Sequence, residues 1–229
     1  MDMMVAVKSC LEQDLAGYHE PIITTWGKQL PRGVSLEFFT GGAKFQTRFC
    51  ADAWAINSLV CPDDYDGLPQ KTRAILRYFL GNNYERILLV DTDTYVDHRL
   101  FNWSLDEGDY VGKIDRPVGE TFPYMSVKRD GGREYHPEVY PWASGGFGYI
   151  LSRKAAEIVV ATEPMSWAED FYVGQALGPY SKAGEIKVFD IGTFLRDHFP
   201  QITYKRGYHP STRWMEETHA RILKESENS

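Results

Sequence analysis

Ile87-Leu88-Leu89-Val90-Asp91-Thr92-Asp93-Thr94-Tyr95-Val96 is the stretch that decides how the rest of the chain reads. Four consecutive apolar residues, with Asn82-Asn83 before them and two carboxylates after, predict a strand buried on both faces. In an open α/β sheet, ligands sit beyond the carboxyl ends of the strands, which is where these acids fall. Asp91 and Asp93 are two apart and, on extended chain, project to the same side. Hard oxygen donors suit Mg²⁺ or Mn²⁺, above all when a diphosphate completes the coordination shell. An Asp-rich turn that merely caps the strand fits the same pattern, so both readings stand at this point.

Upstream, Met3 to Lys8 alternates weakly and predicts a first strand. His19-Glu20-Pro21 opens a helix expected to run to Gln29, with the proline in its first turn. Val34 to Phe39 predicts a second strand, and the β-α-β order predicts a parallel pair with a right-handed crossover. Gly41-Gly42 is expected to break that strand, and Trp54 to Val60 offers a third. Helical spacing of Ile75, Tyr78 and Phe79 predicts a helix over 70–80, with Gly81 as its stop.

Downstream, Leu100 to Trp103 suggests a helical turn and Asp109 to Ile114 a strand. The polar, Gly- and Pro-rich connection from Arg116 to Glu138 has the length of a lid or an acceptor-facing loop. Trp142-Ala143-Ser144-Gly145-Gly146-Phe147-Gly148-Tyr149-Ile150-Leu151 follows, where Gly145 and Gly146 allow a ligand to approach the backbone, or a bulged strand. Ser152 predicts the cap of a helix through Ala161, and Glu169-Asp170 the acidic first turn of another. Ile186 to Phe189 reads as a late strand, before a charged C-terminal helix to about Lys224. Trp142 and Trp167 are equally suited to stacking on a sugar face and to core packing.

The chain has 229 residues and a formal charge of −7, which fits one α/β domain and argues against broad nucleic-acid affinity. Lys205, Arg206, His209 and Arg213 form a local basic cluster that fits either a solvated face or a binding groove. Cys10, Cys50 and Cys61 are odd in number and lack metal-ligand spacing, which predicts reduced thiols and a cytoplasmic location. No stretch has the length and apolarity of a membrane span, so no membrane insertion is expected.

Taken in order, the motifs resemble the inverting glycosyltransferases of the β-1,3-galactosyltransferase, Fringe and T-synthase superfamily. Thr24-Thr25-Trp26, Asp63-Asp64-Tyr65 with Lys71-Thr72, Asp91 to Val96, Tyr110-Val111-Gly112-Lys113, Ser144 to Ser152, Glu169 to Gly174 and Tyr208-His209-Pro210 carry the likeness along nearly the whole chain. It implies a GT-A (Rossmann-like) fold with a central, mostly parallel sheet flanked by helices. It also implies a single domain, with a nucleotide-sugar-binding half over 1–96 and an acceptor-binding and catalytic half over 97–229. The donor it implies is a UDP-sugar and the ion Mn²⁺ or Mg²⁺, held by Asp93 and His209, with Asp91 on the ribose or a metal-bound water. Asp170 is the implied catalytic base and Glu169 an acceptor contact or a support for the helix terminus. Lys71 and Lys113 stand as nucleotide contacts, Gly145 and Gly146 as close-approach points, and Trp142 and Trp167 as acceptor contacts. Thr92 departs from the motif, replacing its middle acid. The membrane anchor, stem and luminal cysteines of many eukaryotic members have no counterpart, which points to a bacterial or viral form. The acceptor stays open among a glycan, a protein, a small molecule and a hydroxymethylated base in viral DNA. Two other classes remain: a nucleotidyltransferase of similar architecture, and a non-catalytic sugar- or nucleotide-binding protein.

Overall fold

A computed structural model of the chain describes residues 2–49, 54–102, 108–116, 139–191 and 212–227. Trp103, the connection 117–138 and the segment with Lys205, Arg206 and His209 lie outside the described residues. Ten strands are described: β1 (Met3–Lys8), β2 (Val34–Gly42), β3 (Gln46–Phe49), β4 (Ala55–Val60), β5 (Arg86–Asp91), β6 (Tyr110–Gly112), β7 (Ile114–Asp115), β8 (Trp142–Ala143), β9 (Tyr149–Ser152) and β10 (Val188–Asp190). Six α-helices accompany them: α1 (Leu11–Leu15), α2 (His19–Thr24), α3 (Leu68–Leu80), α4 (Arg153–Ala161), α5 (Glu169–Lys182) and α6 (Thr212–Glu227).

Eight strands form one sheet in the order β10-β6-β9-β5-β1-β2-β4-β3, parallel except for β9 and β3. The fold is therefore α/β with a mostly parallel central sheet, as expected. Its central strands are covered on both faces, which is why β1 and β5 are apolar almost throughout. Met4, Ala6, Ile87 and Leu89 face α3, α4 and α5, whereas Met3, Val5, Val7, Leu88 and Val90 face the opposite layer. That second layer includes Ile22 of α2, Trp26, and Met215 and Ile222 of α6. Each Leu or Ile so enclosed contributes about 1.5–3 kcal/mol, enough to fix which residues face inward. Among the described residues, no helix is long and apolar enough to cross a membrane.

Several boundaries differ from the sequence expectation, each for a local reason. The first long helix stops at Thr24, where the hydroxyls of Thr24 and Thr25 bond back to the carbonyls of Glu20 and Pro21, and a 3₁₀ turn (Trp26–Gln29) follows. Strand β2 runs through Gly41-Gly42, which are needed for close packing: a Cβ at Gly41 would lie 2.5 Å from the Pro62 carbonyl oxygen. Strand β3, polar and at the sheet's edge, has no apolar period to reveal it. The expected strand 109–114 divides at Lys113, with β7 leaving the main sheet to pair with β8.

Gly148 turns the chain into β9 with φ of +78°, and a Cβ there would meet Val90 Cγ1 at 2.8 Å and the Leu89 carbonyl oxygen at 2.9 Å. Gly148→Ala is therefore expected to cost about 2 kcal/mol or more, from backbone strain and the clash together. Urea denaturation of both proteins measures it; unchanged stability would refute the tight approach.

Candidate functional site

The chain moves outward from β1 to β2 and β4, then returns through α3 to β5 on the other side of β1. The strand order thus reverses between β1 and β5, and a crevice opens at their carboxyl ends. Lys8, the last residue of β1, lies in register with Asp91, the last residue of β5. The acidic stretch of the sequence and a buried cation meet at this switch point.

Lys8 is enclosed, and its Nζ lies 3.2 Å from Asp91 Oδ1 and donates to Glu169 Oε2 at 2.8 Å. Burial works against the ammonium, but Asp91 and Glu169 outweigh it and raise its pKa. Glu169 Oε1 accepts from Thr72 Oγ1 at 3.0 Å and from the Tyr149 hydroxyl. Burial and the adjoining Glu169 push that phenol well above its usual range. Glu169 is itself buried, so it fastens α5 to β1, α3 and β9; its expected role as an acceptor contact gives way to support of the helix terminus. Lys8, Thr72 and Tyr149 carry the centre of the site and had no assigned role in the sequence reading. A lysine closing an otherwise apolar strand was the available signal, because a buried ammonium demands a carboxylate.

Lys71 also departs from expectation. Its side chain is 2% exposed, and Nζ donates to the Ser9 carbonyl at 2.6 Å and to Asp63 Oδ1 at 2.8 Å. Asp63 in turn accepts from the backbone N–H groups of Gly41, at 2.5 Å, and Leu11, at 2.7 Å. The pair ties α3 to the loops after β1 and β4, and it commits the enclosed ammonium to protein partners.

Asp91 and Asp93 both keep partial exposure, while Thr92 and Thr94 between and after them are buried. The chain turns at Thr92-Asp93, so the extended geometry behind the sequence expectation is not the one adopted, although Asp91 is near enough to act on the Asp93 carboxyl. An acid in place of Thr92 would be buried. Hydrogen bonds close the turn, from Thr94 N to the Asp91 carbonyl at 3.1 Å and from Asp91 N to Thr94 Oγ1 at 3.3 Å. Burial, aggravated by Asp91, raises the Asp93 carboxyl to about 6. Asp91 is also raised by burial, with Lys8 opposing the shift.

The glycine-rich stretch forms β8, a 3₁₀ turn (Gly145–Phe147) and β9. Gly145 N donates to Asp170 Oδ2 at 2.9 Å, and a Cβ at Gly145 would lie 3.2 Å from both Asp170 Cβ and Glu169 Oε2. The close approach expected at Gly145 is thus made by the first turn of α5. Gly146 accepts from Thr94 Oγ1 at 3.4 Å, joining this turn to the acidic one. Asp170 stays partly exposed; burial and then Glu169 raise its pKa, while the N–H groups of Gly145 and Phe171 oppose the rise. Lys113 sits 4.3 Å over the Phe147 ring. Trp142 is buried edge-on against Phe171 at 5.3 Å, which makes it core rather than a sugar platform. Trp167 is half-buried, 6.1 Å from the exposed Tyr65 ring.

Among the described residues no group of three His, Cys, Asp or Glu side chains is arranged to hold a metal ion alone. His209 lies outside them. Two half-buried carboxylates that hold protons unusually well still fit an ion of the Mg²⁺ type, which one or two carboxylates and substrate phosphates commonly share.

No protein-family model matches the chain. No curated protein matches it either. Among solved structures, it is similar to a protein described as a nucleotide-diphospho-sugar transferase from Desulfovibrio desulfuricans G20, at 10% identity over 98% of this chain and 97% of that one, with a TM-score of 0.47. It is also similar to the inositol-1-phosphate CTP transferase from T. maritima, at 12% identity over 97% and 96% of the two chains, with a TM-score of 0.49. Values this low leave the reading of the site to its own geometry and motifs.

Two predictions follow from the buried charges. The Asp93 carboxyl moves from 3.8 to about 6 on folding, so between those values the native state binds the proton more tightly than the unfolded chain. Stability from this group is therefore lost as pH rises through that window, by up to about 3 kcal/mol. Metal-free Asp93→Asn should gain stability at pH 7.5 and none at pH 3.5; thermal melts in chelator at both values check this. Lys8→Met, which strands Glu169 without its cation, should cost about 3–5 kcal/mol, measured by urea denaturation.

Proposed function

We propose that this chain is a metal-dependent, inverting glycosyltransferase of the GT-A type that moves a sugar from a UDP-sugar to an acceptor hydroxyl. The reading rests on one arrangement: the half-buried Asp91 and Asp93 lie at the end of a switch-point strand, and the Lys8–Glu169 pair fastens the first turn of α5, with the partly exposed Asp170, to that strand end. The motif resemblance supplies the reaction class. Asp93, with His209 from beyond the described residues, would hold Mn²⁺ or Mg²⁺, and Asp91 the ribose or a metal-bound water. When bound, the ion supplies Lewis-acid neutralisation of charge on the departing diphosphate.

Asp170 takes the proton as the acceptor oxygen forms its bond to the anomeric carbon and the bond from that carbon to the diphosphate breaks, so the sugar inverts. A carboxyl held above its usual range is the stronger base, and the Gly145 and Phe171 N–H groups fix its direction. The neighbouring Glu169 is committed to Lys8, Thr72 and Tyr149, so it is unsuited to proton transfer. Lys113, Gly146 and Trp167 keep their proposed places around donor and acceptor. The acceptor class, whether glycan, protein, small molecule or modified DNA, is set by residues beyond this constellation.

A panel of nucleotide sugars with and without Mn²⁺, followed by chromatography of the released nucleotide, tests the reading. UDP release that requires the ion supports it; pyrophosphate release from a nucleoside triphosphate and a sugar phosphate would replace it with nucleotidyl transfer. Binding without turnover across donors and acceptors would favour a non-catalytic binding protein. Asp170→Asn should lower turnover about 10²–10⁴-fold while Mn²⁺-linked UDP binding persists. Near-normal turnover in that variant, with collapse in Glu169→Gln, would reverse the assignment of the base.

A further inference from the structure

The upstream end of the acidic turn is held by the sheet, but its downstream end is not. The chain leaves β5 at Asp91, and past Thr94 the residues Tyr95 and Val96 enter the apolar layer that includes Met215 and Ile222 of α6. The Tyr95 ring is 1% exposed, and its hydroxyl lies 2.8 Å from His219 Nδ1 on α6. Two residues further, Arg99 grips the buried Asp97 through Nε, at 3.0 Å to each carboxylate oxygen, and through a terminal nitrogen, at 2.5 Å. That same nitrogen lies 3.9 Å from Glu225, so α6 meets the segment at two places along its length.

Packing alone does not require this chemistry. A Phe at 95 would fill nearly the same volume, whereas a hydrogen bond fixes direction as well as depth. A single residue separates Asp93 from Tyr95, a span of at most about 7 Å of extended chain. Displacing the ring therefore displaces the carboxylate.

We infer that Tyr95 and His219 are a positioning pair: their hydrogen bond makes the C-terminal helix part of the scaffold that aims the Asp91–Asp93 turn at a divalent ion and a nucleoside diphosphate. The inference rests on the metal-dependent reading proposed above. Neither side chain touches ligand; both act through Asp93, as outer groups orient the ligands of a metal.

Calorimetry with UDP at fixed Mn²⁺ concentrations tests this on the full chain and its variants Tyr95→Phe, His219→Ala and His219→Asn, with thermal melts run alongside. The Asn amide sets a polar atom near the position of Nδ1. Tyr95→Phe and His219→Ala are expected to weaken Mn²⁺-linked UDP binding about 10-fold, while His219→Asn recovers most of it and UDP binding without metal does not change. Unchanged Mn²⁺-linked affinity in Tyr95→Phe and in the folded His219 variants, whatever their melting temperatures, would overturn the inference and leave the enzyme reading intact. Absence of Mn²⁺-linked UDP binding in the parent protein would overturn the enzyme reading and this inference with it. Should His219→Ala fail to fold, Tyr95→Phe and His219→Asn decide the matter.

Discussion

The ammonium of Lys8, enclosed between Asp91 and Glu169, is the contact on which the architecture of the crevice depends. It joins the ends of the two switch-point strands to the first turn of α5, and so brings together segments far apart in the chain. Removing a charge from water is costly, and the expense is offset only because both carboxylates are within reach and Glu169 is satisfied by Thr72 and Tyr149 as well. A half-made version of this network would be worse than an apolar plug of the same volume. Its completeness therefore ties the folding of the sheet to the geometry of the site.

Asp91, Asp93 and Asp170 all hold their protons more tightly than free carboxyls do, chiefly because burial penalises the anion. Packing gains nothing from enclosing carboxylates in this way. On the reading proposed above, a donor complex with an ion would relieve that cost on the Asp91–Asp93 side, and proton uptake would relieve it at Asp170.

Local pattern carried much of the fold. The apolar runs of β1 and β5 and the Ser152 cap on α4 depend on neighbours a few residues away, and the parallel pairing of β1 with β2 follows from the β-α-β order. The acidic pair was legible as carboxylates at a strand's end, whereas Asp170 stood out from Glu169 only through the motif resemblance. What the sequence concealed was long-range pairing. Lys8 and Glu169 are separated by 161 positions, so nothing near either discloses the other, and Lys71 looks like a surface cation until Asp63 and the Ser9 carbonyl enclose it. Strand β3 escaped notice because an edge strand need not be apolar. Trp142 was undecidable from type alone, and Phe171 settles it as core.

The small ladder of β7 and β8 has an evolutionary consequence. Ile114 pairs with Ala143 and Asp115 with Trp142, so two segments far apart in the chain are joined by a ladder of two residue pairs. The entropy of closing a loop grows only with the logarithm of its length, about 0.6 kcal/mol for each doubling. Changes of length between the two strands therefore cost such a ladder little, and it can persist through insertions that would disrupt a longer, continuously packed element.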